Sequence, residues 1–234
     1  MTLTRILAAF AALTIAADGM SAELLEPVQA FAERLDAAVD SLSQERQELL
    51  DGVCDYISTR VKRGEPVRLV FICTHNSRRS HLAQVWCQIA AAHYGVPGIE
   101  TFSGGTEATA CNIRTVRALR RAGLSVVATS QTDNPVYLAQ YSDALPPLQL
   151  YSKVYSRNGN PSSGFAAMMC CSDADEKCPL VSGSDGRFGL HYEDPKSADN
   201  SPAETQRYDE RNLQIAQEMF HVMAEVADRI GKKE

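Results

Sequence analysis

The sequence lacks an apolar run long enough to cross a bilayer: the stretch from Ile6 to Ala17 behind Arg5 falls well short of the roughly twenty residues a spanning helix needs. It also lacks an excess of positive charge. With 23 Lys and Arg against 29 Asp and Glu the formal net charge is −6, which argues against a general nucleic-acid binder. Any anion site must then be built locally, against an unfavourable overall field. Seven cysteines are present, yet their spacing is not a usual zinc pattern and no His or Cys cluster completes four ligands, so no metal site is expected. What the chain does have is ordinary for a globular protein, 44% hydrophobic and 22% charged residues. Its 234 residues suit one well-buried α/β domain with an extension.

One stretch organises the rest. Leu69-Val70-Phe71-Ile72 reads as a short buried strand. It leads into Cys73-Thr74-His75-Asn76-Ser77-Arg78-Arg79-Ser80 and then into a helical pattern. A strand feeding a tight loop at a helix N-terminus makes an anion site, because unpaired backbone N–H groups and the positive dipole end converge there. Such a position and nearby cations favour the thiolate form of a cysteine, the form that attacks. Arg79 adds a planar fork able to hold two oxygens of a tetrahedral oxyanion. Ser80 can donate a hydrogen bond to the sulfur. The loop from Thr74 to Arg79 is the expected oxyanion cradle, and the chemistry is attack by the Cys73 sulfur on a phosphate-like centre.

With its strand before, Ser80 after and helix beyond, this Cys-x5-Arg loop resembles that of the low-molecular-weight protein tyrosine phosphatase family and, within it, of the thioredoxin-coupled arsenate reductases. The resemblance runs from about Val67 to the C-terminal helix. It implies a four-stranded parallel sheet with helices on both faces, to which this chain adds an N-terminal helical extension.

Three regions are expected. Residues 1–22 read as a signal-like segment or as an over-called N-terminus with Met20 as the start. The second is preferred, because the cleavage site is poor and the chemistry needs a reducing compartment. The protein is then cytoplasmic; a true signal peptide makes it exported. Residues 23–65 read as a helical extension. Leu24, Val28, Phe31, Leu35, Val39 and Leu42 recur at helical steps, as do Leu49, Val53, Ile57 and Val61, with a break near Asp40 to Gln44. Residues 66–234 form the catalytic domain, started by the stop at Arg63-Gly64-Glu65-Pro66. In it, His81 to His93 reads as helix, Ile99 to Ser103 as strand, Asn112 to Arg121 as helix and Leu124 to Val127 as a third strand. This alternation implies a parallel sheet. Leu148 to Val154 reads as an edge strand or hairpin. Tyr137, Tyr141, Tyr151 and Tyr155 either line a substrate mouth or simply pack. Phe165 to Met169 is another buried strand, Arg187 to Leu190 the last strand, and a capped helix runs from Ser201-Pro202-Ala203-Glu204 to about Ile230.

Cys170-Cys171-Ser172-Asp173-Ala174-Asp175-Glu176-Lys177-Cys178-Pro179 is similar to the redox segment of the thioredoxin-coupled reductases, which ordinary low-molecular-weight phosphatases lack. The resemblance implies that Cys171 is the first resolving thiol and Cys178 the second, with thioredoxin as partner and no bound cofactor. A helical segment sets residues seven apart about 10 Å from each other, whereas a disulfide tolerates Cα atoms about 7 Å apart at most. The two can therefore pair only if the segment is a loop or unwinds. Cys170 is either inert on the strand's other side or a competitor of Cys171. Asp194-Pro195 matches the family's general acid, a carboxyl group that protonates the departing oxygen. Two residues depart from the reductase pattern. His75 stands where glycine is usual, and Gln84 where some reductases have a glutamate that helps hold potassium. The expected function is arsenate reduction through Cys73, Cys171 and Cys178; the alternative is phosphomonoester hydrolysis by the same loop through a phospho-cysteine.

Overall fold

The computed structural model describes residues 22–157, 159–177 and 180–231. The apolar run from Ile6, Met20 and the thiol of Cys178 lie outside them. Two helices open the chain, α1 (Glu26–Asp36) and α2 (Gln44–Lys62), separated by a short 3-10 turn at Val39–Ser41. Strand β1 (Val67–Cys73), helix α3 (Arg79–His93), strand β2 (Ile99–Gly105) and helix α4 (Ile113–Arg121) follow. After them come three short strands, β3 (Ser125–Ala128), β4 (Tyr137–Gln140) and β5 (Leu148–Leu150). The chain closes with β6 (Phe165–Met169), α5 (Ser172–Lys177), β7 (Ser184–Gly189) and the long helix α6 (Glu204–Gly231).

β1 and β6 sit at the centre of a four-stranded sheet ordered β2-β1-β6-β7, parallel throughout. Central parallel strands are covered on both faces, so they read as unbroken apolar runs; Phe165 to Met169 are all buried. The β1–α3–β2 and β6–α5–β7 crossovers leave the centre in opposite directions. Right-handed crossovers therefore carry them over opposite faces. No helix among the described residues is long and apolar enough to cross a membrane.

Two elements differ from what the sequence pattern predicts. The third strand is not part of the parallel sheet: β3 pairs antiparallel with β4, and β4 with β5, in a separate sheet. Only Val126 of β3 is buried, and Val127 is 53% exposed, a one-sided pattern that a strand covered on both faces cannot have. On α2, Leu49 points outward at 41% exposure, and Leu50 takes its place beside Val53, Cys54 and Ile57. Tyr137 and Tyr141 are buried in the core, which favours packing over a substrate mouth for those two.

The extension shares this core rather than sitting apart from it. Phe31 of α1 stacks on the buried Trp86 of α3 with ring centres 4.9 Å apart, and the Trp86 indole donates to Asn212 Oδ1 of α6 at 2.7 Å. Cys54 is buried, its thiol 3.8 Å from the Val222 carbonyl, and burial pushes its pKa up to about 12.

Candidate active site

Ligands of a parallel sheet bind beyond the carboxyl ends of its strands, and Cys73 is the last residue of β1. Residues 74–78 then turn into α3. The turn demands one residue with left-handed backbone, and Asn76 supplies it at φ 45°. His75 keeps a negative φ, so the loop accepts a side chain where glycine is usual; its ring turns outward, 3.7 Å from Glu107.

The direction of the loop's peptides follows from its outer hydrogen bonds. The Thr74 carbonyl accepts from the Glu107 amide at 2.8 Å. That of His75 accepts from Ser152 Oγ at 2.8 Å, and that of Ser77 from the Asn112 amide at 3.0 Å. With no cis bond among the described residues, planar trans peptides turn the amide hydrogens of His75, Asn76 and Arg78 to the opposite side. Gly105 permits this close fit, because a Cβ there would lie 2.7 Å from the Asn76 nitrogen and 2.8 Å from the Thr74 oxygen.

Asn76 also orients Ser80. Its Oδ1 accepts from the Lys153 backbone amide at 3.0 Å, which fixes the amide group and leaves Nδ2 to donate to Ser80 Oγ at 2.9 Å. The serine hydrogen is then free for Cys73 Sγ, 3.2 Å away. Below the loop His81 is fully buried, with Nδ1 3.1 Å from Ser103 Oγ. Burial, and then the nearby Lys153 charge, lowers its pKa to about 3.

Arg79 opens α3 and reaches the loop after β7. Its Nη1 donates to the Tyr192 carbonyl at 2.9 Å and its Nη2 to Asp194 Oδ2 at 2.8 Å, while the other oxygen of Asp194 caps the turn at Pro195 by accepting from the Lys196 amide at 3.0 Å. The Arg78 side chain is committed elsewhere. It donates to Tyr208 Oη at 2.7 Å and to Asp199 at 3.2 Å, and its Nε lies 3.8 Å from Asp194 Oδ1. An open cavity beside the loop is lined by His75, Ser77, Arg78, Arg114 and Lys196. Its two arginines are ion-paired, Arg78 with Asp199 and Arg114 with Asp199 and Glu204.

Cys73, Ser80, Arg79 and Asp194 are thus brought into one constellation. Cys171 joins its edge: the residue is 2% exposed and its sulfur lies 3.5 Å from Thr74 Oγ1. Cys170 is fully buried; burial, and then the neighbouring Cys73 and Cys171 thiols, raise its pKa far above that of an ordinary thiol. Residues 172–177 are helical, so pairing of Cys171 with Cys178 requires unwinding. α5 is held by Asp175, which accepts from His191 Nε2 at 2.8 Å and pairs with Arg187. Gln84 donates to the Thr101 carbonyl at 3.2 Å. The partners that the sequence reading missed, Tyr192, Tyr208 and Asp199, lie over a hundred positions from the loop and carry no local signal.

No family model matches the chain. In sequence it is similar to an arsenate reductase of Bacillus licheniformis, 29% identical over 136 residues covering 58% of this chain and 79% of that protein. Among solved structures it is similar to a low-molecular-weight protein tyrosine phosphatase from T. tengcongensis, with a TM-score of 0.46 and 16% identity over 68% of this chain and 98% of that one. It is also similar to a thioredoxin-dependent arsenate reductase of Corynebacterium glutamicum, with a TM-score of 0.35 and 15% identity over 80% and 92% of the two chains.

Proposed function

We propose that this protein reduces arsenate, with Cys73 as nucleophile, Cys171 and Cys178 as an internal relay and thioredoxin as the final reductant. Arsenate sits on the loop amides, and Arg79 exchanges its Asp194 contact for arsenate oxygens. The Cys73 thiolate forms an S–As bond and displaces one oxygen, which leaves as water with a proton from Asp194. The Cys171 thiolate then attacks Cys73 Sγ. The S–S bond forms, the S–As bond breaks and its electron pair stays on arsenic, so arsenic(V) departs as arsenite. Cys178 next attacks Cys171 and releases Cys73, and the thioredoxin dithiol reduces the Cys171–Cys178 disulfide. This chemistry calls for a reducing compartment, which we take to be the cytoplasm.

The observation that carries this reading is the contact of Cys171 Sγ with Thr74 Oγ1 at 3.5 Å, a second thiol at the residue next to the nucleophile. The likeness in sequence to a protein named arsenate reductase supports it. The test is arsenate turnover with thioredoxin, thioredoxin reductase and NADPH. Cys171→Ser should give no Cys73 disulfide. Cys178→Ser should release one arsenite per chain and accumulate a Cys73–Cys171 disulfide. If both variants turn over like the parent, the relay is wrong.

A second reading, phosphomonoester hydrolysis through a phospho-cysteine opened by water, is favoured by the helical state of α5. Hydrolysis uses only the loop and Asp194 and requires no movement there. A phosphotyrosine assay on the same preparation separates the two, since both cysteine variants should keep full hydrolytic activity.

A further inference from the structure

The helical extension reaches the site through one side chain. Ser43 caps α2 by accepting from the Arg46 amide at 3.3 Å, which sets the helix's first turn. Arg46 Nη2 donates to the Leu190 carbonyl and to Glu218 Oε2, each at 2.6 Å. Glu218 belongs to α6 and is 1% exposed; its other oxygen accepts from Gln214 at 3.2 Å. The Arg46 guanidinium also lies over the Tyr192 ring, 5.4 Å from its centre, and the carbonyl of this same Tyr192 holds Arg79. Asp194 follows two residues later. Arg46 therefore joins α2, α6 and the segment that leaves β7 for the acid.

We propose that Arg46 is a positioning residue for the reaction, fixing the segment from Leu190 to Asp194 and, through Tyr192, the guanidinium of Arg79. The kinetic side of this inference rests on Asp194 as the acid; the structural side does not. A small displacement of a group that must meet a leaving oxygen is costly in rate, whereas the loop amides that bind the anion are unaffected. The charge on Glu218 offers a competing account, in which Arg46 only neutralises a buried carboxylate. The two accounts part in a double variant that removes both charges.

The full-length protein carrying Arg46→Met with Glu218→Gln is the decisive preparation. Two measurements apply to it. The first is hydrogen exchange at the amides of Leu190, His191 and Tyr192, which donate to the carbonyls of Met169 and Cys170. These should exchange at least about tenfold faster, with β1 unchanged. The second is steady-state kinetics on aryl phosphates of good and poor leaving groups, and on arsenate. Turnover number should fall about tenfold to a hundredfold for poor leaving groups and less for good ones. Parental exchange and parental kinetics in the double variant would overturn the proposal, leaving Arg46 as a counter-ion for Glu218. If the double variant does not fold, Arg46→Lys replaces it. The lysine keeps a cation beside Glu218 but lacks the planar guanidinium that lies over the Tyr192 ring, so the same losses are expected at parental melting temperature, and their absence overturns the proposal. A parent chain with no turnover at all removes Asp194's role as acid, and the exchange measurement then decides alone whether Arg46 holds the segment.

Discussion

At the scale of single residues the site divides into groups whose partners are close in sequence and groups whose partners are remote. Cys73, Ser80 and Arg79 were legible because the spacing of a strand, five residues and an arginine already states their chemistry. Asp194 came from the resemblance, whose general acid precedes a proline after the last strand; an Asp-Pro pair alone is common in turns. Arg46 and Glu218 were not legible, since an arginine on an amphipathic helix looks the same whether it faces water or a carboxylate 172 positions away. The central prediction is that Cys73→Ser binds oxyanion and melts like the parent but turns over neither arsenate nor phosphomonoester, oxygen being much the poorer nucleophile at this place. Binding can be read by isothermal titration with phosphate; measurable turnover would remove Cys73 from the centre of the mechanism. His81 makes a second, thermodynamic prediction. Its folded pKa of about 3 lies below the ordinary 6.5, so between these values the unfolded chain holds a proton that the folded chain does not. Stability from this group is full above about pH 6.5 and falls as pH drops, by about 1.4 kcal/mol per unit. Denaturation by urea should show the parent losing about 2 kcal/mol more between pH 7 and pH 5 than His81→Gln does.

At the scale of elements, unbroken apolar runs marked β1 and β6 correctly because parallel strands covered on both faces have no other pattern available. The same reasoning failed for Ser125–Ala128. Its short β-branched pair fits a buried strand or a half-exposed one equally well, and only the antiparallel partner at Tyr137–Gln140 decides between them. The segment after Cys171 was read as needing to unwind if helical, and it is helical from Ser172. Asp175 is its main tether, through His191 and Arg187. Replacing Asp175 with Asn weakens both contacts, so Cys171 should become alkylated by iodoacetamide several-fold faster than in the parent while the melting temperature changes little. Unchanged alkylation would show that the tether does not govern access to this thiol.

At the scale of the whole molecule, the extension and the catalytic part form one packing unit. Residues of α1 and α2 enter the same core as the sheet, and the chain's single tryptophan, Trp86, stacks on the extension's Phe31. That arrangement provides its own probe. Tryptophan emission and far-UV circular dichroism should report one coincident thermal transition in the full-length chain. A chain starting after Lys62 should lose that cooperative transition, because it exposes the inner face of α3 and leaves Glu218 buried without Arg46. A stable, cooperative truncated form would show instead that the extension merely decorates the fold.

The contact between Arg79 and Asp194 has a consequence for which anions the site admits. In the structure the arginine fork is already engaged, with a carboxylate on one nitrogen and a carbonyl on the other. On the proposed chemistry Asp194 is a tethered competitor, an internal pseudo-ligand in the seat that an oxyanion would take. An incoming anion displaces it only by offering more than it removes, so apparent affinity is the intrinsic affinity reduced by the fraction of molecules whose fork is open. Tetrahedral dianions offer two oxygens to the fork and others to the loop amides; chloride offers a single charge with no geometry. Such a seat filters the salt of its surroundings, and inhibition by phosphate or sulfate should be competitive with substrate, while chloride at equal ionic strength leaves the rate nearly unchanged.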